Sequence, residues 1–283
     1  MDGIHPVMQV RTKMGNTNTY EYLGSYLDRL RSQGRYTFTG DEVRSEFSLN
    51  DEAYQKVIQR LLDKDRIARL RQNFYLIIPP EYAVRQTLPL GYFVDDLMQF
   101  LDRKYYVGLL TAAMYHGAAH QQPQQQFVIA EPPYLRPIKN QRQSILFCMK
   151  KEWDVADVEQ QKTDAGFINI SNPSLTALDL VFYVDRIGGF NRTATVLSEL
   201  ASEINVDKLT RTAQRFKQTT ILQRLGYLLD RVLHKIDLSD ALYEALDQRN
   251  FYPTPLNPGT ETENKQAPNI WKVIPNIDVE AEL

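Results

Sequence analysis

The sequence predicts an α+β protein: a winged helix-turn-helix followed by a larger mixed, helix-rich domain with a small β-sheet. Three observations predict it. Between Tyr20 and Ile78, three short helical patterns are closed by two β-type runs joined at Gln72-Asn73, the order a winged helix requires. Pro79-Pro80 and Pro89 then interrupt the chain, as at a domain boundary. Beyond them, helical stripes and short apolar strand-like runs alternate. These limits give an arm at 1–18, a winged helix at 19–80, a second domain at 88–250 and an extension at 251–283 that docks on it through Trp271.

In the first helix, Leu23, Tyr26, Leu27 and Leu30 recur at i, i+3, i+4 and i+7 and so lay one apolar stripe. Gly34 stops it. Thr39 or Asp41 caps a second helix running to about Phe47, with Glu42 in its first turn. Ser48-Leu49-Asn50-Asp51 repeats the capping chemistry, and Tyr54, Val57, Ile58, Leu61 and Leu62 share one face of a third helix. Its other face carries Glu52, Gln55, Lys56 and Gln59, with Arg60 at the edge, side chains able to reach base edges or phosphates from a major groove. The runs 67–71 and 74–78 read as strands, so Arg69, Arg71, Gln72 and Asn73 decorate a wing. Asn50 completes the candidate DNA-binding set. A small helical domain whose hairpin binds protein is the alternative reading of the same features. In the arm, Arg11 and Lys13 read as a tail or as phosphate contacts.

In the second domain, Phe93, Leu97, Phe100 and Leu101 predict a helix with Asp95-Asp96 on its solvated side. Neighbouring carboxylates on a helix diverge, so the pair is not read as a metal site. The stretch 105–117 predicts a close-packed buried helix, its small residues Gly108, Ala112 and Ala113 permitting the packing and Gly117 ending it. His116 and His120 have metal-ligand spacing on a helix, but Gly117 intervenes, and a polar helix end is the reading preferred. Phe127-Ala130, Ser144-Met149 and Gly166-Ser171 predict three strands, the first two read as a hairpin with a basic, proline-stiffened tip. Arg136, Lys139 and Arg142 on that tip are candidate partner-contacting residues. Asn172 or Ser174 caps the next helix, in which Asp179 sits among Leu175, Leu178, Val181 and Phe182 and is expected to pair with a base such as Arg186 or to cap a neighbouring element. Gly188-Gly189 and Asn191 mark a loop, and from Thr193 the chain reads as helical blocks ending near Leu246.

A net charge of −2 over 283 residues argues against a generic polyanion binder. From Met1 to Ile78, 12 Lys and Arg face 10 Asp and Glu, which predicts modest, salt-sensitive DNA affinity. The single cysteine, Cys148, excludes an internal disulfide and fits a reducing compartment. Without a membrane-length apolar run or a signal-peptide core, the cytoplasm is the expected location. No phosphate loop, zincin helix or nucleophile elbow occurs, so neither catalysis nor a cofactor or metal is expected.

The order of several short motifs resembles the AbiEi antitoxins of abortive-infection, type IV toxin–antitoxin systems. They are Gln72-Asn73-Phe74-Tyr75-Leu76-Ile77-Ile78-Pro79, the stretch from Tyr106 to Gly117, Ile168-Asn169-Ile170-Ser171 leading to Ser174-Leu175-Thr176-Ala177-Leu178-Asp179, then Gln223 to Leu229 and Ile270 to Asn276. The resemblance implies a repressor of its own operon that binds double-stranded promoter DNA through its first domain. It also implies a second domain that antagonises a nucleotidyltransferase-like toxin without needing a stable complex. The winged helix departs in being less basic than expected of a strong repressor. The alternative function is a stand-alone transcriptional regulator whose second domain senses a ligand or protein.

Overall fold

A computed structural model of the chain describes residues 16–85, 87–118, 125–139, 143–262 and 266–281, with side chains from Tyr22 onward. Residues 1–15 of the arm, His120 and Arg142 lie outside the described residues. The chain forms two compact units that divide between Phe93 and Val94.

The first unit begins with α1 (Asn16–Ser32), so residues 16–18, read as the end of the arm, are helical. Leu23, Tyr26, Leu27 and Leu30 are all buried, and Gly34 turns the chain in the left-handed region at φ 78°. A short strand the sequence reading missed follows, β1 (Thr37–Thr39). Thr39 then caps α2 (Gly40–Phe47): its hydroxyl accepts from the Glu42 amide while the Glu42 carboxylate accepts from the Thr39 amide. The reciprocal box satisfies two amides that the helix leaves open and stabilises it by about 1 kcal/mol. Asn50 caps α3 (Asp51–Asp63) with a single bond, accepting from the Ala53 amide at 2.9 Å. The strands β2 (Ile67–Arg71) and β3 (Phe74–Ile77) form an antiparallel hairpin, and β1 adds antiparallel to β3 on its other side. Asn73 makes the turn at φ 66°, a conformation asparagine adopts more readily than most residues. Tyr54, Val57, Ile58 and Leu61 from α3 meet the α1 stripe, Phe38 and Tyr75 in one core. The segment beyond Pro79 belongs to this unit, where the Tyr92 ring packs edge-on against Tyr36 at 4.9 Å.

The second unit opens with α4 (Val94–Phe100). Leu97 and Met98 are buried but Phe100 is exposed, so the expected stripe is shifted. The stretch expected to be one helix is divided: β4 (Tyr105–Val107) precedes α5 (Leu109–Tyr115). A Cβ at Gly108 would lie 2.7 Å from Ile129, so the small residue serves the close approach of a neighbouring strand. The strands β5 (Gln126–Ala130), β6 (Ile138–Lys139), β7 (Ser144–Met149), β8 (Val158–Thr163) and β9 (Gly166–Ser171) complete a mixed six-stranded sheet in the order β6-β7-β5-β4-β9-β8. The expected β5–β7 hairpin is not one: the two strands pair in parallel, and a parallel pair needs a crossover rather than a turn.

Asn172 caps α6 (Pro173–Phe182), with Pro173 in its first turn. Every residue from Ser174 to Val181 is buried, the polar Ser174, Thr176 and Asp179 included. The loop expected at 188–191 is largely helical: α7 (Val184–Ile187) ends at Gly188, and α8 (Gly189–Leu200) starts at once. There follow α9 (Val206–Arg215), α10 (Thr219–Tyr227), a π-type turn at Leu228–Val232 and α11 (Ile236–Asp247). Finally β10 (Thr254–Pro255) and β11 (Val273–Ile274) pair in parallel. Trp271 is fully buried in the helical core, its indole N–H donating to Asp230 at 3.0 Å.

Candidate functional sites

On the first unit, the polar face of α3 is exposed at Glu52, Gln55, Lys56, Gln59 and Arg60. Three of these side chains already have partners. Lys56 donates to Glu52 at 2.6 Å and Gln59 to Asp63 at 2.8 Å. The hydrogen bond from Lys56 holds the Glu52 carboxyl below its usual range. Exposed pairs of this kind are weak and screened by solvent, so an external acceptor can replace them at little cost. Asn50 spends its side-chain oxygen on the α3 cap.

A shallow groove of about 750 Å³ gathers Gln55 of α3 with Arg69, Gln72 and Asn73 of the hairpin. Its remaining lining is Asp41, Arg44, Tyr54 and Tyr75. The Asn73 amide donates to Asp41 at 2.6 Å, and the Gly40 amide donates to the Asn73 carbonyl at 3.1 Å, which fixes the hairpin tip against the start of α2. Arg44 was missed by the sequence reading. Its guanidinium lies 3.8 Å from the Tyr54 ring centroid and 3.1 Å from Asp41; the Asp41/Arg44 spacing of three on a helix was the available signal. Beneath, the Tyr54 and Tyr75 hydroxyls share a hydrogen bond of 3.1 Å, and burial pushes the Tyr54 phenol well above its ordinary pKa. Asn50, Glu52, Lys56, Gln59, Arg60 and Arg71 do not line this groove.

In the second unit, Arg136 and Lys139 are exposed, Lys139 on β6 opposite Ser144. A different set of residues forms the most elaborate polar arrangement. Asp179 does not pair with Arg186: it faces Lys150, whose Nζ is 2.6 Å from Oδ1, while the Tyr106 hydroxyl donates to Oδ2 at 2.6 Å. Lys150 also donates to the Tyr106 oxygen at 3.2 Å. Asp179 is completely buried and Lys150 nearly so. Burial, then the Asp179 charge, keeps the Tyr106 phenol neutral far above its ordinary range.

Above this triad opens a cleft of about 490 Å³. Lys150 lines it together with Lys151, Trp153, Phe182, Phe216 and Lys217. On one wall Arg215 is anchored by Asp157 and Asp154, and Thr212 donates to Asp157 at 2.7 Å. The hydrogen bond to Asp157 raises the Arg215 pKa further. Residues from 149–157, 175–182 and 215–218 meet here only in three dimensions, and no local periodicity announced them. Among the described residues, no three His, Cys, Asp or Glu side chains gather where a metal could be held.

Residues 106–231 match the model of the AbiEi antitoxin C-terminal domain, a span running from Tyr106 in β4 through α10 into the π-type turn. The chain carries an AbiEi antitoxin C-terminal domain. The AbiEi domain therefore contains the buried triad and the cleft, and the antitoxin role implies a toxin as partner. No curated protein matches the chain in sequence. Among solved structures, the chain is similar to the RV2827C protein from Mycobacterium tuberculosis, with a TM-score of 0.62 and 16% identity over 90% of each chain. At that identity the likeness concerns the fold. No helix among the described residues is long and apolar enough to cross a membrane.

Proposed function

We propose that this AbiEi antitoxin is a cytoplasmic, non-catalytic autorepressor. Its first unit acts as a winged helix-turn-helix on promoter DNA of its own operon, and its AbiEi domain antagonises a nucleotidyltransferase-like toxin. The observation that carries the DNA reading is the groove in which Gln55 of α3 meets Arg69, Gln72 and Asn73 of the hairpin. A recognition helix and a wing that converge on one surface can contact base edges and the flanking phosphates together. Gln55 offers a bidentate donor and acceptor for adenine, while Arg69, with Lys56 and Arg60 further along α3, supplies cations for phosphate. Arg136 and Lys139 are proposed to face the toxin.

The test is a mobility-shift titration of the full chain on DNA from upstream of its own gene, against scrambled DNA, at two salt concentrations. Preferential retention that weakens with salt is expected, and changing Gln55, Lys56 and Arg71 together to alanine should reduce it while leaving toxin neutralisation intact on co-expression. Equal binding to scrambled DNA would make this unit a protein-binding module. A toxin neutralised as well by an R136E/K139E variant would remove those two residues from the toxin-facing surface.

A further inference from the structure

The cleft above Lys150 brings aromatic rings together with cations, and of its carboxylates Asp154 and Asp157 are already engaged by Arg215. Trp153, Phe182 and Phe216 offer planar or apolar walls, and Trp153 is held edge-on against Tyr106 with ring centroids 5.1 Å apart. Lys151 and Lys217 offer exposed cations at its edge. At about 490 Å³ its volume falls in the range of small-molecule sites. Aromatic walls with adjacent cations are what a base joined to a phosphate requires, the ring stacking while the ammonium groups take the charge.

We propose that this cleft is a binding site for a nucleoside phosphate. Lys217 is paired with Glu152 across the cleft, but both side chains are well exposed, at 70% and 66%. Such a pair is weak and screened, so a phosphate can replace Glu152 as the acceptor. Lys150 differs. Asp179 and Tyr106 take two of its three donors, leaving one N–H without a partner among the described residues, while its ammonium lies 4.9 Å from the Phe216 ring centroid. The floor is thus fixed before any ligand arrives, and only the Lys217–Glu152 closure must open.

The experiment is calorimetric titration of the full chain with AMP, GMP, CMP and UMP, alongside adenosine and inorganic phosphate, with tryptophan fluorescence in parallel. Saturable binding of at least one nucleotide is expected, weakened tenfold or more in a K151E/K217E variant, whose changed side chains are exposed and leave the fold intact. Quenching should vanish in Trp153→Phe while calorimetric binding persists, since Trp271 is buried elsewhere. The proposal is overturned by no saturation with any nucleotide up to about 1 mM, a Kd beyond which specific recognition is negligible. It is equally overturned by undiminished binding to K151E/K217E, by quenching that survives Trp153→Phe, or by inorganic phosphate binding as tightly as the nucleotides. None of these outcomes bears on DNA binding by the first unit.

Discussion

Lys150 and Asp179 meet at 2.6 Å inside the AbiEi domain, one just past the end of β7 and the other midway along α6, and Tyr106 of β4 closes the triangle. Removing one member leaves the other charge buried and uncompensated. Asp179→Ala should therefore cost about 3–5 kcal/mol, whereas replacing both ions by apolar side chains, K150M with D179L, should recover most of it. Urea unfolding midpoints of the three proteins check this; a double variant no better than the single would show that the pair's stabilisation exceeds its desolvation cost.

Gly226 and Trp271 form a second dependence. A Cβ at Gly226 would lie 2.0 Å from the Trp271 ring, so Gly226→Ala must expel the indole that Tyr243 packs against and Asp230 accepts from. Gly226→Ala and Trp271→Ala should each cost about 3–5 kcal/mol, the range for emptying a large aromatic site. Because both act through the same contact, the double variant should cost less than their sum. Strict additivity in thermal or urea unfolding would rule out this coupling.

In the first unit, Thr39→Ala removes one half of the α2 capping box and should cost about 1 kcal/mol, while Thr39→Ser should cost little. Gly40→Ala should cost more, because its Cβ would sit 2.1 Å from the Tyr54 hydroxyl and 2.3 Å from the Asn73 side chain. Circular dichroism melts of the full chain give the order. If the groove reads DNA, Gly40→Ala should also weaken operator binding more than Thr39→Ala does.

Burial pushes the Cys148 thiol from an ordinary value of 9.0 up to about 11. A raised acid is favoured in its neutral form by the fold, so its contribution is complete below pH 9 and is lost as pH rises from 9 toward 11. Burial raises the Tyr105, Tyr106 and Tyr183 phenols too, which adds loss in the same direction above pH 10. Stability should therefore fall on the alkaline side, less steeply between pH 9 and 11 in Cys148→Ala. At pH 8 the native thiol should react with a disulfide reagent far more slowly than the unfolded one; equal rates would place Cys148 at the surface.

Helices and strands defined by local rules are legible in the sequence. The α1 stripe, the capping runs at Thr39 to Asp41 and Ser48 to Asp51, the Gln72-Asn73 turn and the helix start at Asn172 to Ser174 each rest on residues within a few positions of one another, and the structure selects Thr39, Asn50 and Asn172 as the caps. Sequence misread 105–117 as one helix because Tyr105-Tyr106-Val107 is apolar in either conformation, and its pairing with β5 and β9 decides for a strand. It misread β5 and β7 as a hairpin because strand direction is set by how the crossover packs, which the apolar pattern of each strand does not encode.

The polar sites divide the same way. The exposed face of α3 could be read from a helical period, but which of its residues face the hairpin could not, and only Gln55 joins Arg69, Gln72 and Asn73. Asp179 stands out among apolar neighbours in sequence, yet its partner lies 29 residues earlier. By itself the sequence determined the apolar stripes, the tight turns and the starts of the capped helices, since these depend on near-neighbour sterics, capping and periodicity. The tertiary structure alone decided strand direction, the Lys150–Asp179–Tyr106 triad and the cleft over it, because those depend on which distant segments pack side by side.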